Sequence, residues 1–289
     1  MPSAYYAAPN TLAEALRVLQ DSSDARVLAG GTDLLVQMKF GTRRPSNIVD
    51  IKRIPELMQF ALDDGGLHLG AAVPGAVITA SEAVRRVYPG FVEAFGLIGS
   101  SQVQGRCSAG GNLCNASPAA DSVSAMIVNR AVCTVVGPRG KRSVPVEEFN
   151  AGPGRNCLAP DEILVAIEFP RPAPRTSDAY LRFIPRTEMD IAVAGAAVSL
   201  TLDERGVCTD ARVAIGAVAP TALLVPGAAA ALIGSSVDEA ALRQAGAAAR
   251  AAASPITDKR GTAEYRRKVV AVLVRRAGAI ARSRVEAQA

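Results

Sequence analysis

Ser108-Ala-Gly-Gly-Asn-Leu-Cys-Asn-Ala-Ser117-Pro-Ala-Ala-Asp121 joins a glycine pair, small polar side chains and a carboxylate that opens an apolar run. Gly110 and Gly111 lack a Cβ, so the backbone here can take positive φ and bring its amides close to a bound group. Successive N–H groups in such a turn form a concave anion site. Ser108, Asn112 and Ser117 add side-chain donors, and Asp121 is placed to cap a helix carrying Val123, Met126 and Ile127. The stretch reads as a phosphate cradle with a carboxylate beside it.

Ala29-Gly30-Gly31-Thr32-Asp33-Leu34-Leu35 has the same composition and follows the apolar pair Val27-Leu28. Two such loops suggest a diphosphate. The other reading is a pair of ordinary tight turns, where glycine pairs are common.

Three further segments follow in order: Pro160-Asp-Glu-Ile-Leu164-Val-Ala-Ile-Glu168, Arg186-Thr-Glu-Met-Asp190-Ile-Ala and Gly261-Thr-Ala-Glu-Tyr265-Arg-Arg. With both loops, they make the chain resemble the flavin-binding subunit or domain of molybdenum hydroxylases. That family includes the medium subunit of carbon monoxide dehydrogenase and the flavin domain of xanthine dehydrogenase, and the resemblance covers nearly the whole chain.

It implies an α+β protein with a two-part FAD-binding domain of the PCMH type, similar to that of vanillyl-alcohol oxidase, followed by a smaller α+β C-terminal domain. FAD is expected across the two parts, with its diphosphate between the loops. Ala29, Gly30, Gly31, Thr32, Asp33 and Leu34 are the expected contacts from the first loop, and Ser108, Gly110, Gly111, Asn112, Ser117 and Asp121 from the second, Asp121 meeting ribose hydroxyls. Ile98 and Leu164 match apolar positions bordering the flavin, and Arg182 a basic position near its ring where relatives often carry lysine.

The resemblance also implies partners. A molybdenum-binding large subunit would oxidise substrate, a small subunit with two [2Fe–2S] clusters would relay electrons, and this chain would pass them to an external acceptor, the whole forming a dimer of heterotrimers. No catalytic or metal-binding residue is expected in this chain. Thr32-Asp33 departs from the polar pair usual in carbon monoxide dehydrogenase relatives, which tilts the expected complex toward an aldehyde, purine or N-heterocycle hydroxylase. Two alternatives stay open: a stand-alone flavin oxidase of the same broad fold, and an assembly subunit without flavin.

Composition fits such a protein. Half of the 289 residues are apolar, enough for a sizeable core, and no run approaches the roughly 18 apolar residues of a membrane span. Met1-Pro-Ser-Ala-Tyr lacks a basic region before an apolar signal core, so a cytoplasmic protein is expected. Cys107, Cys114, Cys133, Cys157 and Cys208 are scattered, with no Cys-x-x-Cys, and read as packing residues. His68 is the single histidine, which excludes paired-histidine metal sites; it reads as a strand residue facing solvent or a polar partner. The charge of +5 and the group Arg260, Arg266, Arg267, Lys268, Arg275 and Arg276 tempt a nucleic-acid reading, but aromatics are few and no such motif is present. These cations are expected on the solvated or partner-facing side of a helix.

Glycine loops for other chemistry are absent. Gly137-Pro-Arg-Gly-Lys-Arg lacks P-loop spacing, and Gly152-Pro-Gly154 lacks the third glycine of a dinucleotide fingerprint.

Along the chain, Thr11-Leu-Ala-Glu14 has capping-box spacing and predicts an early helix; Arg26–Gly30 and Asn47–Ile51 predict strands. These make a first unit over 1–54. Strands at Leu67–Gly70, Ala131–Val136 and Ile163–Phe169, with a helix from Ser81, make a second over 55–170. After the breaker Arg171-Pro-Ala-Pro-Arg175, strands at Ala192–Leu202 and Ala211–Val218, a helix opened by a capping box at Ser236–Glu239, and a last helix burying Tyr265, Val269, Val272, Leu273 and Ile280 make a third over 176–289.

Overall fold

Three sheets of three or more strands follow one another along a computed structural model of the protein, which describes residues 4–288; Met1–Ser3 and Ala289, at the ends of the expected outer units, lie outside the described residues. The first sheet is parallel, in the order β1-β3-β2, and contains β1 (Tyr5–Ala7), β2 (Arg26–Leu28) and β3 (Asn47–Asp50). Helix α1 (Leu12–Gln20) is capped by Thr11, whose side chain accepts from the Glu14 amide, and buries Ala15 and Leu19 beside Val49 and Ile51. A short helix, α2 (Leu34–Lys39), leaves the first glycine loop.

A 3-10 turn at Pro55–Met58 leads to the hairpin β4 (Phe60–Asp63) and β5 (Gly66–Gly70). Helices α3 (Gly75–Ala80), α4 (Glu82–Val87), α5 (Pro89–Gly96), α6 (Ser101–Gln104), α7 (Ala109–Cys114) and α8 (Asp121–Val128) intervene before the hairpin β6 (Val132–Gly137) and β7 (Gly140–Pro145). A turn of helix, α9 (Val146–Phe149), and the small ribbon β8 (Asn150–Gly152) and β9 (Arg155–Asn156) then precede β10 (Ile163–Pro170). β10 is the centre of an antiparallel sheet ordered β4-β5-β10-β6-β7, and its near-continuous apolar sequence fits burial on both faces. His68 on β5 finds its polar partner across this sheet, with Nδ1 2.8 Å from Glu168 of β10.

All eight residues of α8 are buried. A helix buried on every side needs neighbours on every side, and α8 packs on α5, on β12 (Ala194–Leu202) and on β13 (Cys208–Gly216) of the third sheet. That sheet is antiparallel, β11-β12-β13-β14, completed by β11 (Thr176–Phe183) and β14 (Leu223–Leu224). One face supplies Ala197 and Ala214 to the core around α8; the other buries Val198, Leu200, Val213 and Ile215 with α10 (Pro226–Ala230), α11 (Glu239–Ala252) and α12 (Ala263–Glu286).

The C-terminal helices differ from their sequence reading in three respects. Asp238 caps α11 by accepting from the Ala241 amide, in place of Ser236. The buried face of α12 runs through Val270, Leu273, Val274, Ala277 and Ala281, while Tyr265 and Val272 are exposed. Close helix packing selects this small-residue face: a Cβ on Gly246 of α11 would stand 2.7 Å from the Ala271 carbonyl oxygen, and one on Gly278 2.6 Å from Leu242. Arg266, expected on the outside, is buried, and its guanidinium donates to Val193 O, Ala217 O and Asp258. Among the described residues no helix is long and apolar enough to cross a membrane.

Candidate functional site

The two glycine loops converge on one cleft of about 460 Å³, also lined by Leu28, Ala71, Asn156, Leu158, Glu162 and Ile163. All six residues from Ala29 to Leu34 line it, as do Ile98, Ser108, Gly110, Gly111, Asn112 and Leu164.

The first loop is fixed from behind. Lys52 Nζ donates to the Ala29 carbonyl at 2.9 Å and to Asp50 at 2.7 Å, and Tyr6 donates to the other Asp50 oxygen at 2.6 Å. Gly31 then takes φ +79°, a left-handed turn that glycine adopts without strain. Among the described residues, the amides of Gly31, Thr32, Asp33 and Leu34 find no acceptor in the chain, so four donors are left at the cleft wall. Asp33 precedes α2 without making a side-chain capping bond, and burial raises its carboxyl above the usual range.

The second glycine pair behaves differently from its sequence reading. Gly110 and Gly111 lie in the first turn of α7, not at positive φ, and Ser108 caps that turn by accepting from the Gly111 amide at 3.1 Å. Their contribution is clearance. A Cβ on Gly110 would meet the Ala71 carbonyl oxygen at 2.5 Å, so this glycine permits packing. A Cβ on Gly111 would meet only Ser108 Oγ, at 3.1 Å, and otherwise open space in the cleft. The loops are tied together by Gln37 of α2, which donates to Asn115 Oδ1 at 3.0 Å.

Opposite the loops, Asn156 donates to Cys114 O at 2.8 Å and accepts from the Leu158 amide at 3.0 Å. Glu162 accepts from Arg142 at 2.9 and 2.6 Å and from the Ala159 amide at 2.9 Å; the Arg142 bonds hold its carboxyl down at about 2. The cleft-lining thiols of Cys107 and Cys114 are pushed up to about 11 and about 12, chiefly by burial, which leaves them neutral and unreactive. All five cysteines are free, and among the described residues no cluster of His, Cys, Asp and Glu could hold a metal ion.

Three expected contacts lie elsewhere. Ser117 accepts from the Ala119 amide at 3.3 Å and is not part of the cleft wall. Asp121 does not cap α8: Ala120 holds that position, and Asp121 is the first helical residue. Its two oxygens accept from Tyr180 Oη and from Arg182, each at 2.6 Å, with Asp121 and Arg182 both almost fully buried. Burial raises the Asp121 carboxyl, and Arg182 opposes that shift. Asp121 and Arg182 thus bond each other, Arg182 Nε has no partner among the described residues, and neither residue lines the cleft.

Gln37, Asn115, Asn156 and Arg43 line the cleft without having been singled out in the sequence. Arg43 had a signal, the basic turn Gly41-Thr-Arg-Arg-Pro45 between two strands; the amides had none, because single Asn and Gln residues are common in loops. Free backbone donors, open space at Gly111 and an amide at Asn112 suit an extended ligand with an anionic middle, as FAD is.

Residues 2–172 match the family described as the FAD binding domain in molybdopterin dehydrogenase, and residues 179–280 the CO dehydrogenase flavoprotein C-terminal domain. The chain is 37% identical over 213 residues to a xanthine dehydrogenase FAD-binding subunit from Escherichia coli, covering 73% of each. A structure of carbon monoxide dehydrogenase from Hydrogenophaga pseudoflava superposes with a TM-score of 0.93 at 34% identity, over 98% of this chain and 99% of that one. One of quinoline 2-oxidoreductase from Pseudomonas putida 86 gives 0.90 at 29% identity, over 98% of each chain.

Proposed function

The chain belongs to the FAD-binding medium subunits of molybdenum hydroxylases, and from that premise we propose that it is the electron outlet of its complex. In this reading a [2Fe–2S] small subunit delivers electrons to this chain, which passes them to an external acceptor, and a molybdenum-binding large subunit performs the substrate oxidation. The assembly would be a dimer of such heterotrimers in the cytoplasm. Bound FAD supplies the chemistry of accepting electrons singly and releasing one or two, while the protein supplies position and electrostatics.

The observation that carries the reading is the meeting of both glycine loops on a single cleft. Gly31 to Leu34 would hold the diphosphate with their unpaired amides, and Ala29 and Gly30 shape the approach. Ser108, Gly110, Gly111 and Asn112 would face it from α7, with Ile98 and Leu164 giving apolar walls to the ring system. Ser117, Asp121 and Arg182 would act indirectly, by fixing the turn before α8 and the contact of α8 with β11. Asp33 is the one cleft acid of the first loop, and burial raises its carboxyl above the usual range.

The test is the absorption spectrum of the chain purified with whatever accompanies it, followed by release and identification of flavin, for the wild type and Gly111→Trp. FAD in the wild type and none in the variant, with iron and molybdenum confined to the accompanying chains, is the expected result. A partner-bound complex without flavin would overturn the proposal in favour of an assembly role, and substrate turnover by the chain alone would favour an oxidase.

A further inference from the structure

Four amide side chains line the cleft, and Gln37 and Asn156 spend their amino groups on the protein. Gln37 donates to Asn115 Oδ1, and Asn156 uses its amino group on Cys114 O and its oxygen on the Leu158 amide. Asn112 differs. Its Oδ1 accepts from Ser122 Oγ at 2.7 Å, and among the described residues its amino group has no acceptor in the chain.

Ser122 is fully buried in the first turn of α8, ten residues beyond Asn112. In a first helical turn a serine has no helical carbonyl four residues before it to bond. The hydroxyl hydrogen is thus available for Asn112. An Asn amide has one accepting and one donating end, and a bond that engages the oxygen fixes which way the amino group points.

We propose that Ser122 is a positioning residue for the cofactor: by donating to Asn112 Oδ1 it holds the Asn112 amino group as a preset donor to an acceptor oxygen of the bound FAD. This rests on the FAD reading of the cleft. Ser122 itself touches no ligand. Without its hydroxyl, the two amide orientations of Asn112 become close in energy, and one of them turns an acceptor toward the cofactor's oxygens.

The experiment is a double-mutant cycle on the purified complex, stripped of flavin and titrated with FAD by fluorescence quenching. Ser122→Ala and Asn112→Ala are each expected to weaken FAD by about tenfold, on the scale of one lost hydrogen bond, and the double variant to bind no more weakly than Asn112→Ala alone. Ser122→Thr, which keeps the hydroxyl, is expected to restore the wild-type Kd; if its added methyl is not accommodated, the cycle still decides. Additive losses, or an unchanged Kd in Ser122→Ala, would overturn the positioning role while leaving FAD binding intact. A wild-type complex that binds no FAD at all would overturn both.

Discussion

Gly30 touches the carbonyl of Arg106 so closely that a Cβ on Gly30 would stand 1.9 Å from that oxygen and 2.9 Å from the Cα of Cys107. The contact joins the first loop to the segment leading into α7, and both groups are backbone, so no rotamer change relieves it. Gly30→Ala is expected to push the two walls of the cleft apart. Overpacking of this kind costs about 1–3 kcal/mol, visible as a lower Tm of the flavin-free complex, together with loss of FAD. An unchanged Tm with full flavin content would show that the loops are not held by this contact.

Arg182 and Asp121 tie β11 to the start of α8, across the join between the two family-matched segments. Removing one partner of a buried pair leaves a charge without compensation, at about 3–5 kcal/mol. Arg182→Met is expected to destabilise the protein on that scale in urea unfolding. Adding Asp121→Asn removes the stranded charge and still accepts from Tyr180, so the double variant is expected to recover a large part of the loss. Equal stability of the single and double variants would mean that Asp121 is already neutral when Arg182 is gone.

The cleft rim responds to acid through Glu162. Its carboxyl, normally near 4.5, is held at about 2 by Arg142 in the folded protein. A depressed carboxyl adds stability that is complete above the unfolded value and is lost as pH falls through the folded one. Arg142→Gln is therefore expected to be less stable than wild type at pH 7, with the gap closing between about pH 4.5 and about pH 2. Arg142 is 40% exposed, so solvent screening limits the gap to about 1 kcal/mol. Denaturation midpoints measured across that window check it; a gap that persists at pH 2 would assign the effect to packing.

The glycine loops were legible because few residue types tolerate close backbone approach, and both loops line the cleft. Their geometry was less legible. Gly31 has the positive φ that the pair suggests, whereas Gly110 and Gly111 are helical and serve clearance, a distinction set by Ala71 and Ser108 and invisible in local sequence. Asp121 was read from its own neighbourhood as a cap, but its partners Tyr180 and Arg182 lie some sixty residues on. Arg266 was read as a surface cation because charge predicts exposure; the carbonyls of Val193 and Ala217 that bury it belong to distant strand ends. β2, β3, β5, β6, β10, β12 and β13 coincide with strands read from the sequence, whereas β1, β4 and β7 were not read, nor was β11, with the polar start Thr-Ser-Asp.

That polar start places Asp178 in the same join. Its carboxylate is fully buried, accepts from the Gly90 amide at 2.9 Å and from Asn129 at 2.7 Å, and lies near Glu93 and Arg284. Burial raises its pKa to about 6, with Glu93 adding to the shift and Asn129, Gly90 and Arg284 opposing it. Between its ordinary value and about 6 the folded state binds more protons than the unfolded chain, so this group's contribution to stability falls as pH rises through that window. Asp178→Asn keeps an acceptor for Gly90 and cannot ionise. Its unfolding free energy is expected to lack the wild-type decline between about pH 4 and about pH 6, so the variant gains relative to wild type as pH rises. Parallel pH profiles would mean that Asp178 stays charged throughout, held so by Asn129 and Arg284 against the effect of burial.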